Sequence, residues 1–248
     1  LSAVFILEMK QKTKTANPYP RLIIAFAGGG GALGMPVFEF RNFLINNFPD
    51  LHKVFVRDNS QVKGGQFYFL GMTISDNSET QYRNVESTSF EENLEILKKI
   101  INQSDYEKII FLGNSSGAFA ALLYGLLLNV DEVMAFGPYT VITQECLKNQ
   151  NMPYSHVIER LWEHQPDHDY YDLYNIAKEN DTTKVSIVYG SRCLFDKKQA
   201  KHLQDLPNIF ISCAEGANHV DCIKAYRNNG VLKKMIEEAI VSYNLLAE

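Results

Sequence analysis

Apolar positions along this 248-residue chain fall into two rhythms. Short runs rich in Val, Ile and Phe occupy 4–9, 22–27, 52–56, 108–112, 132–136, 184–189 and 209–213, and they have the length and composition of strands. Between them, apolar residues at helical spacing recur: Val37, Phe40, Phe43, Leu44 and Phe48 within 36–48, and Leu94, Leu97, Ile100 and Ile101 after Ser89. Ser89, with Glu92 three residues on, predicts a capped helix start. Further helices are expected over 118–128, 196–206 and 231–245. The stretch 58–89 is polar and glycine-containing, with one apolar patch at 67–70, and reads as mostly loop. Residues 140–183 break the alternation. Rich in Tyr, His, Asn and Asp, they read as a small cap inserted into a single domain spanning 1–248.

Strands alternating with helices of this length predict an α/β protein, with a mostly parallel central sheet and helices on both faces. Ligands of such sheets lie beyond the carboxyl ends of the strands. That rule gathers the glycines at 28–31, Ser115, Gly137-Pro138, 190–196 and 216–219 along one rim, where the candidate chemistry is expected.

Composition narrows the class. With 46% hydrophobic and 21% charged residues the chain can bury a core, which excludes a disordered or fibrous protein. A net charge of -5 argues against nucleic acid or an anionic membrane as partner. The four cysteines, Cys146, Cys193, Cys213 and Cys222, lack C-x-x-C spacing, so idle thiols in a reducing, cytoplasmic setting are expected. Residues 1–7 are apolar but have no basic flank, and they read as a first strand rather than a leader.

The sharpest motif is Gly113-Asn114-Ser115-Ser116-Gly117, between the apolar run 108–112 and the helical run 118–128. A strand, a tight turn and a helix in this order are what a G-x-S-x-G elbow needs, because the glycines admit a strained backbone that lifts the central hydroxyl clear. Ser115 is the candidate nucleophile. Activating it at neutral pH requires a base in hydrogen-bond reach, held in turn by an acceptor. His219, in the loop Glu215-Gly216-Ala217-Asn218-His219 after the last strand, is the candidate base.

The elbow, the glycine-rich turn after the run 22–27 and the Gly-x-x-His turn after the last strand together resemble the α/β-hydrolase superfamily, in the order nucleophile, acid, histidine. The resemblance implies oxyanion donors from the N–H of Ser116 and from the glycine turn, with Gly29 and Gly30 the expected positions. It also implies a triad acid three residues beyond the glycine that ends the penultimate strand. Cys193 stands there, after Gly190-Ser191-Arg192. Asp196, three residues further, is the expected acid, although Asp at a helix start is also a favoured cap. Glu215 and Asp221 are alternatives for orienting the imidazole.

Other patterns compete. Gly29-x-Gly31-x-x-Gly34, with Asp58 ending the next strand, matches a dinucleotide-binding fingerprint, though at longer spacing and with Pro36 interrupting. A degenerate hydrolase fold serving only as a binding module is a third class. His156, His164 and His168, with Asp167 and Asp169, suggest a metal only superficially, since Pro166 falls between the last two histidines. Tyr139, Tyr154, Trp162, Tyr170, Tyr171 and Tyr174 are either a stacking wall over the nucleophile or the insert's own small core. The expected activity is hydrolysis of an ester, thioester or related acyl bond, with transfer to an acceptor such as a sugar hydroxyl as alternative. The substrate is then a small-molecule or saccharide acyl compound, and the mechanism requires no metal or organic cofactor.

Overall fold

Alternate burial of β1 (Arg21–Phe26) on both faces sets the layout of the computed structural model, which describes residues 20–29, 38–59, 67–76, 84–149 and 155–241. Leu22, Ile24 and Phe26 enter one core, while Ile23 and Ala25 enter the other. A strand buried on both sides belongs inside a sheet covered by helices. After β1 come α1 (Arg41–Asn47), β2 (His52–Asp58), β3 (Met72–Asp76), β4 (Asn84–Glu86), α2 (Phe90–Ile101), β5 (Lys108–Asn114), α3 (Ser116–Leu127) and β6 (Glu132–Phe136). Between β6 and β7 (Lys184–Gly190) lie α4 (Gln144–Asn149), α5 (Ser155–His164), a 3-10 turn at Asp169–Tyr171 and α6 (Tyr174–Glu179). The chain continues through α7 (Leu194–Lys201), β8 (Ile209–Ala214), α8 (Cys222–Asn228) and α9 (Val231–Val241).

These strands form one eight-stranded sheet in the order β4-β3-β2-β1-β5-β6-β7-β8. The sheet is parallel from β2 through β8, and β3 and β4 add to its edge antiparallel. α3 is buried on nearly all sides, from Ser116 to Leu126, as a helix seated on the sheet centre must be. On the opposite face Leu44 of α1, Cys222 and Ile223 of α8, and Leu232 and Ile236 of α9 close the second core. Among the described residues no helix is long and apolar enough to cross a membrane.

Several expectations need correction. The stretch 58–89 holds two short strands that its sequence did not suggest, β3 and β4. Its apolar patch instead makes a turn, in which Phe67 (φ 52°) and Tyr68 (φ 65°) adopt left-handed backbone. Buried hydrogen bonds hold that turn: the Asp58 carboxylate accepts the Tyr68 N–H at 2.9 Å, and the Tyr68 hydroxyl donates to the Ala27 carbonyl at 2.5 Å. The helix expected over 36–48 begins at Arg41 and that over 196–206 spans Leu194–Lys201, while α8 was not anticipated. The capping pair is offset. Ser89 Oγ accepts the Glu92 N–H at 3.2 Å, but the Glu92 carboxylate reaches back to the Thr88 N–H at 2.8 Å. The strand expected at 4–9 lies outside the described residues.

Candidate active site

The elbow is built by close backbone approach. Ser115 sits between β5 and α3 with φ 55° and ψ -122°, a conformation that costs a non-glycine residue about 1–3 kcal/mol and persists only where its surroundings enforce it. Part of the enforcement is the Ser115 N–H, which donates to the Phe136 carbonyl of β6 at 2.8 Å. Gly117 supplies the rest: a Cβ there would lie 2.5 Å from the Ala27 carbonyl oxygen, so only glycine lets α3 rest against the end of β1.

The hydroxyl so presented meets an imidazole. Ser115 Oγ lies 2.9 Å from His219 Nε2, and His219 Nδ1 lies 2.7 Å from Asp196 Oδ1. A fully buried carboxylate at Nδ1 holds the ring proton on that nitrogen, which leaves the Nε2 lone pair facing the hydroxyl. The imidazole itself is 17% exposed, open enough for a substrate to reach it. Gly137 makes room behind the pair: its φ is 52°, and a Cβ there would press on both Asp196 Oδ2 and His219 Nδ1 at 3.3 Å. Asp196 is held from α7, whose first turn is capped by Cys193 Sγ accepting the Asp196 N–H at 3.5 Å. One turn on, Gln199 Oε1 accepts the N–H groups of Thr140 at 2.6 Å and Val141 at 2.9 Å, tying α7 to the start of the segment after β6. Burial pushes the Cys193 thiol up to about 11, with Asp196 alongside adding to the shift, so it stays protonated at neutral pH.

Against this geometry the chain can be compared with known proteins. No protein-family model matches it, and no curated protein matches its sequence. Solved structures do match. The capsule O-acetyltransferase of Neisseria meningitidis serogroup A aligns over 89% of this chain and 88% of its own, at 17% identity and a TM-score of 0.60. MenH from S. aureus aligns over 92% and 96%, at 13% identity and 0.54. FphF, a fluorophosphonate-binding serine hydrolase of Staphylococcus aureus, aligns over 92% and 86%, at 9% identity and 0.56. This is the α/β-hydrolase fold.

The elbow stands beside the turn that follows β1. A Cβ on Gly29 would lie 3.4 Å from Ser116 Oγ. As the first residue of α3, Ser116 presents its N–H at a helix amino end, where no intrahelical acceptor exists. Gly30 lies outside the described residues. A residue the sequence reading missed joins the two segments: the Glu39 carboxylate accepts both the Asn114 side-chain amide, at 3.0 and 3.1 Å, and the Gly28 N–H at 3.4 Å. Burial raises the Glu39 carboxyl above its ordinary range, and the hydrogen bonds from Asn114 and Gly28 only partly offset this.

The remaining candidates separate cleanly. Glu215 is exposed and Asp221 pairs with Lys224 at 3.8 Å, so neither is what holds the His219 ring. Asp58, the candidate ribose ligand, is 3% exposed and engaged by Tyr68. Of the aromatic group, Trp162 and Tyr171 are buried as core. Tyr139 alone among the described members packs on the His219 ring, at 6.1 Å between centroids, and it also meets Phe67 and Phe195. His168 caps the 3-10 turn by accepting the Tyr170 N–H at 3.2 Å, a local structural use. The side chains of Tyr154 and His156 lie outside the described residues.

Proposed function

We propose that this chain is a serine hydrolase that cleaves an ester, thioester or related acyl bond through an acyl-enzyme intermediate. The observation that carries the reading is the unbroken relay from Ser115 Oγ through His219 to the buried Asp196, at 2.9 and 2.7 Å. In the first step Ser115 attacks the acyl carbonyl while His219 Nε2 takes its proton, and Asp196 stabilises the imidazolium. The N–H groups of Ser116 and of Gly29 or Gly30 receive the oxyanion. His219 then returns the proton to the leaving group, and water, deprotonated by the same nitrogen, releases the acid. The segment 140–183 serves as a cap over the site, with Tyr139 at its root beside the base.

A second reading is transfer of the acyl group to an acceptor hydroxyl, including that of a saccharide. The likeness to the capsule O-acetyltransferase favours it, and a structure of that protein in complex with CoA matches this chain at 18% identity and a TM-score of 0.58. The test of the shared chemistry is intact-mass labelling with a fluorophosphonate. Wild type is expected to take up one adduct, Ser115→Ala none, and His219→Ala to react at least about 100-fold more slowly. A folded wild type that takes no label sinks both readings. If labelling succeeds, acetyl-CoA turnover with and without a sugar acceptor separates hydrolysis from transfer.

A further inference from the structure

Behind the hydroxyl that reacts, the site holds three donors of different chemistry. Cys193 Sγ, an Asp196 carboxylate oxygen and a His219 ring nitrogen all lie within 4.8 Å of one another. Thiolate, carboxylate and imidazole form a mixed set that suits zinc, which binds such donors tetrahedrally at about 2.0–2.3 Å and so needs them about 3.3–3.8 Å apart. From the present arrangement the 2.7 Å Nδ1–Oδ1 pair has to open by about 0.6 Å, and donors as much as 4.8 Å apart have to close by about 1 Å. The second Asp196 oxygen, Oδ2, is buried and makes no well-formed hydrogen bond among the described residues, so a ligating electron pair is already on hand. Cys193 is half-buried and the His219 ring partly exposed, which gives an ion a way in.

We propose that Cys193, Asp196 and His219 form an inhibitory site for Zn2+. The ion enters where the Nδ1 proton lies, between the ring and the carboxylate. Cys193 binds as thiolate and releases its proton to solvent. The displaced Nδ1 proton moves to Nε2, so the ring stays neutral but its tautomer is reversed. Nε2 now carries a hydrogen toward Ser115 Oγ and has no lone pair with which to accept one, and nucleophile activation stops. A thiol at the position where the fold would carry the triad acid thus becomes the feature that makes the serine metal-sensitive.

The inhibitory effect rests on the hydrolase reading, whereas metal binding does not, and two readouts keep them apart. Co2+ titrated into the whole chain is expected to give thiolate-to-cobalt charge-transfer absorption saturating at one equivalent and displaced by Zn2+. Cys193→Ser, which keeps a helix-capping oxygen, is expected to lose the band, while Cys146→Ser keeps it. In parallel, Zn2+ is expected to slow fluorophosphonate labelling reversibly on chelation. Cys193→Ser should raise the half-effective Zn2+ concentration by about 100-fold or more, beyond the loss typical of a residue that only supports a ligand. Absence of the thiolate band in wild type, its survival in Cys193→Ser, or equal Zn2+ sensitivity of the two proteins overturns the site. A wild type that never labels fails the hydrolase reading, and the cobalt band alone then decides the metal site.

Discussion

Cys193 and Asp196 stand at the two ends of a single helical turn, the thiol accepting the N–H of the residue whose carboxylate holds His219. On the proposed function Asp196 is the acid, three residues beyond the position the resemblance implies, and a helix start brings it to the imidazole. Asp196→Asn keeps that helix but offers Nδ1 an amide in place of a carboxylate. We expect the rate of fluorophosphonate inactivation to fall by about 10,000-fold, the loss associated with an imidazole held in the wrong tautomer. Glu215→Gln and Asp221→Asn should label near the wild-type rate, and a comparable loss in either would mean that the acid has been misassigned.

Gly117→Ala tests the elbow as a packing device. The added methyl meets two carbonyl oxygens at the end of β1, so either α3 or the strand must shift. A destabilisation of about 3 kcal/mol is expected, at the upper end for overpacking, seen as a fall in Tm of roughly 6–12 °C. A Tm unchanged from wild type would show that the helix has slack the structure does not suggest.

Legibility in the sequence followed distance along the chain. The elbow could be read because its strand, turn and helix are contiguous, and His219 because a requirement for a base pointed to one loop. Glu39 was invisible, since its partner Asn114 is 75 residues away and a single glutamate between Phe38 and Phe40 reads as a polar position of an amphipathic segment. Residues 67–70 are non-strand, as read, although apolar aromatics usually favour strand: a buried polar network around Asp58 and Tyr68 overrides propensity and bends them into a turn. β3 was missed for the complementary reason: Met72–Asp76 is five residues with two polar side chains buried beneath neighbours, too short to declare a period.

Glu39 also predicts a pH dependence. Its carboxyl holds its proton in the folded chain to higher pH than when unfolded, so the folded state binds more protons just above the ordinary value of 4.5. Stability then falls as pH rises from that value through the raised folded value, and levels off beyond it. Glu39→Gln has no proton to lose, so Tm measured across this window should decline less than in wild type. Parallel curves for the two proteins would refute the assignment.

His168 acts with the opposite slope. Burial lowers its pKa from the ordinary 6.5, more than the nearby Asp169, Glu91 and Asp167 raise it. The unfolded chain therefore takes up the proton first, and stability drops as pH falls below 6.5 toward the lowered folded value. Protonation also removes the acceptor for the Tyr170 N–H. His168→Asn keeps a capping acceptor but sacrifices ring contacts with Phe69 and Phe90, so it should be less stable at about pH 8 yet flatter toward about pH 5. Thermal unfolding at those two values decides it.

Three backbone bonds cross between strands at the rim: Ser115 N–H to the Phe136 carbonyl at 2.8 Å, Gly137 N–H to Val188 at 2.7 Å, and Ser191 N–H to Ala214 at 3.0 Å. Each turn leaving a strand is fastened to the next strand over, so Ser115, His219 and Asp196 are linked through the pairing of β5, β6, β7 and β8. Such pairing joins distant parts of the chain and forms slowly compared with local helices. During refolding the helical signal should therefore return before the capacity to react with a fluorophosphonate does. The chemistry of this molecule is then the last thing it acquires, and reactive serine is a clock for the completion of its sheet.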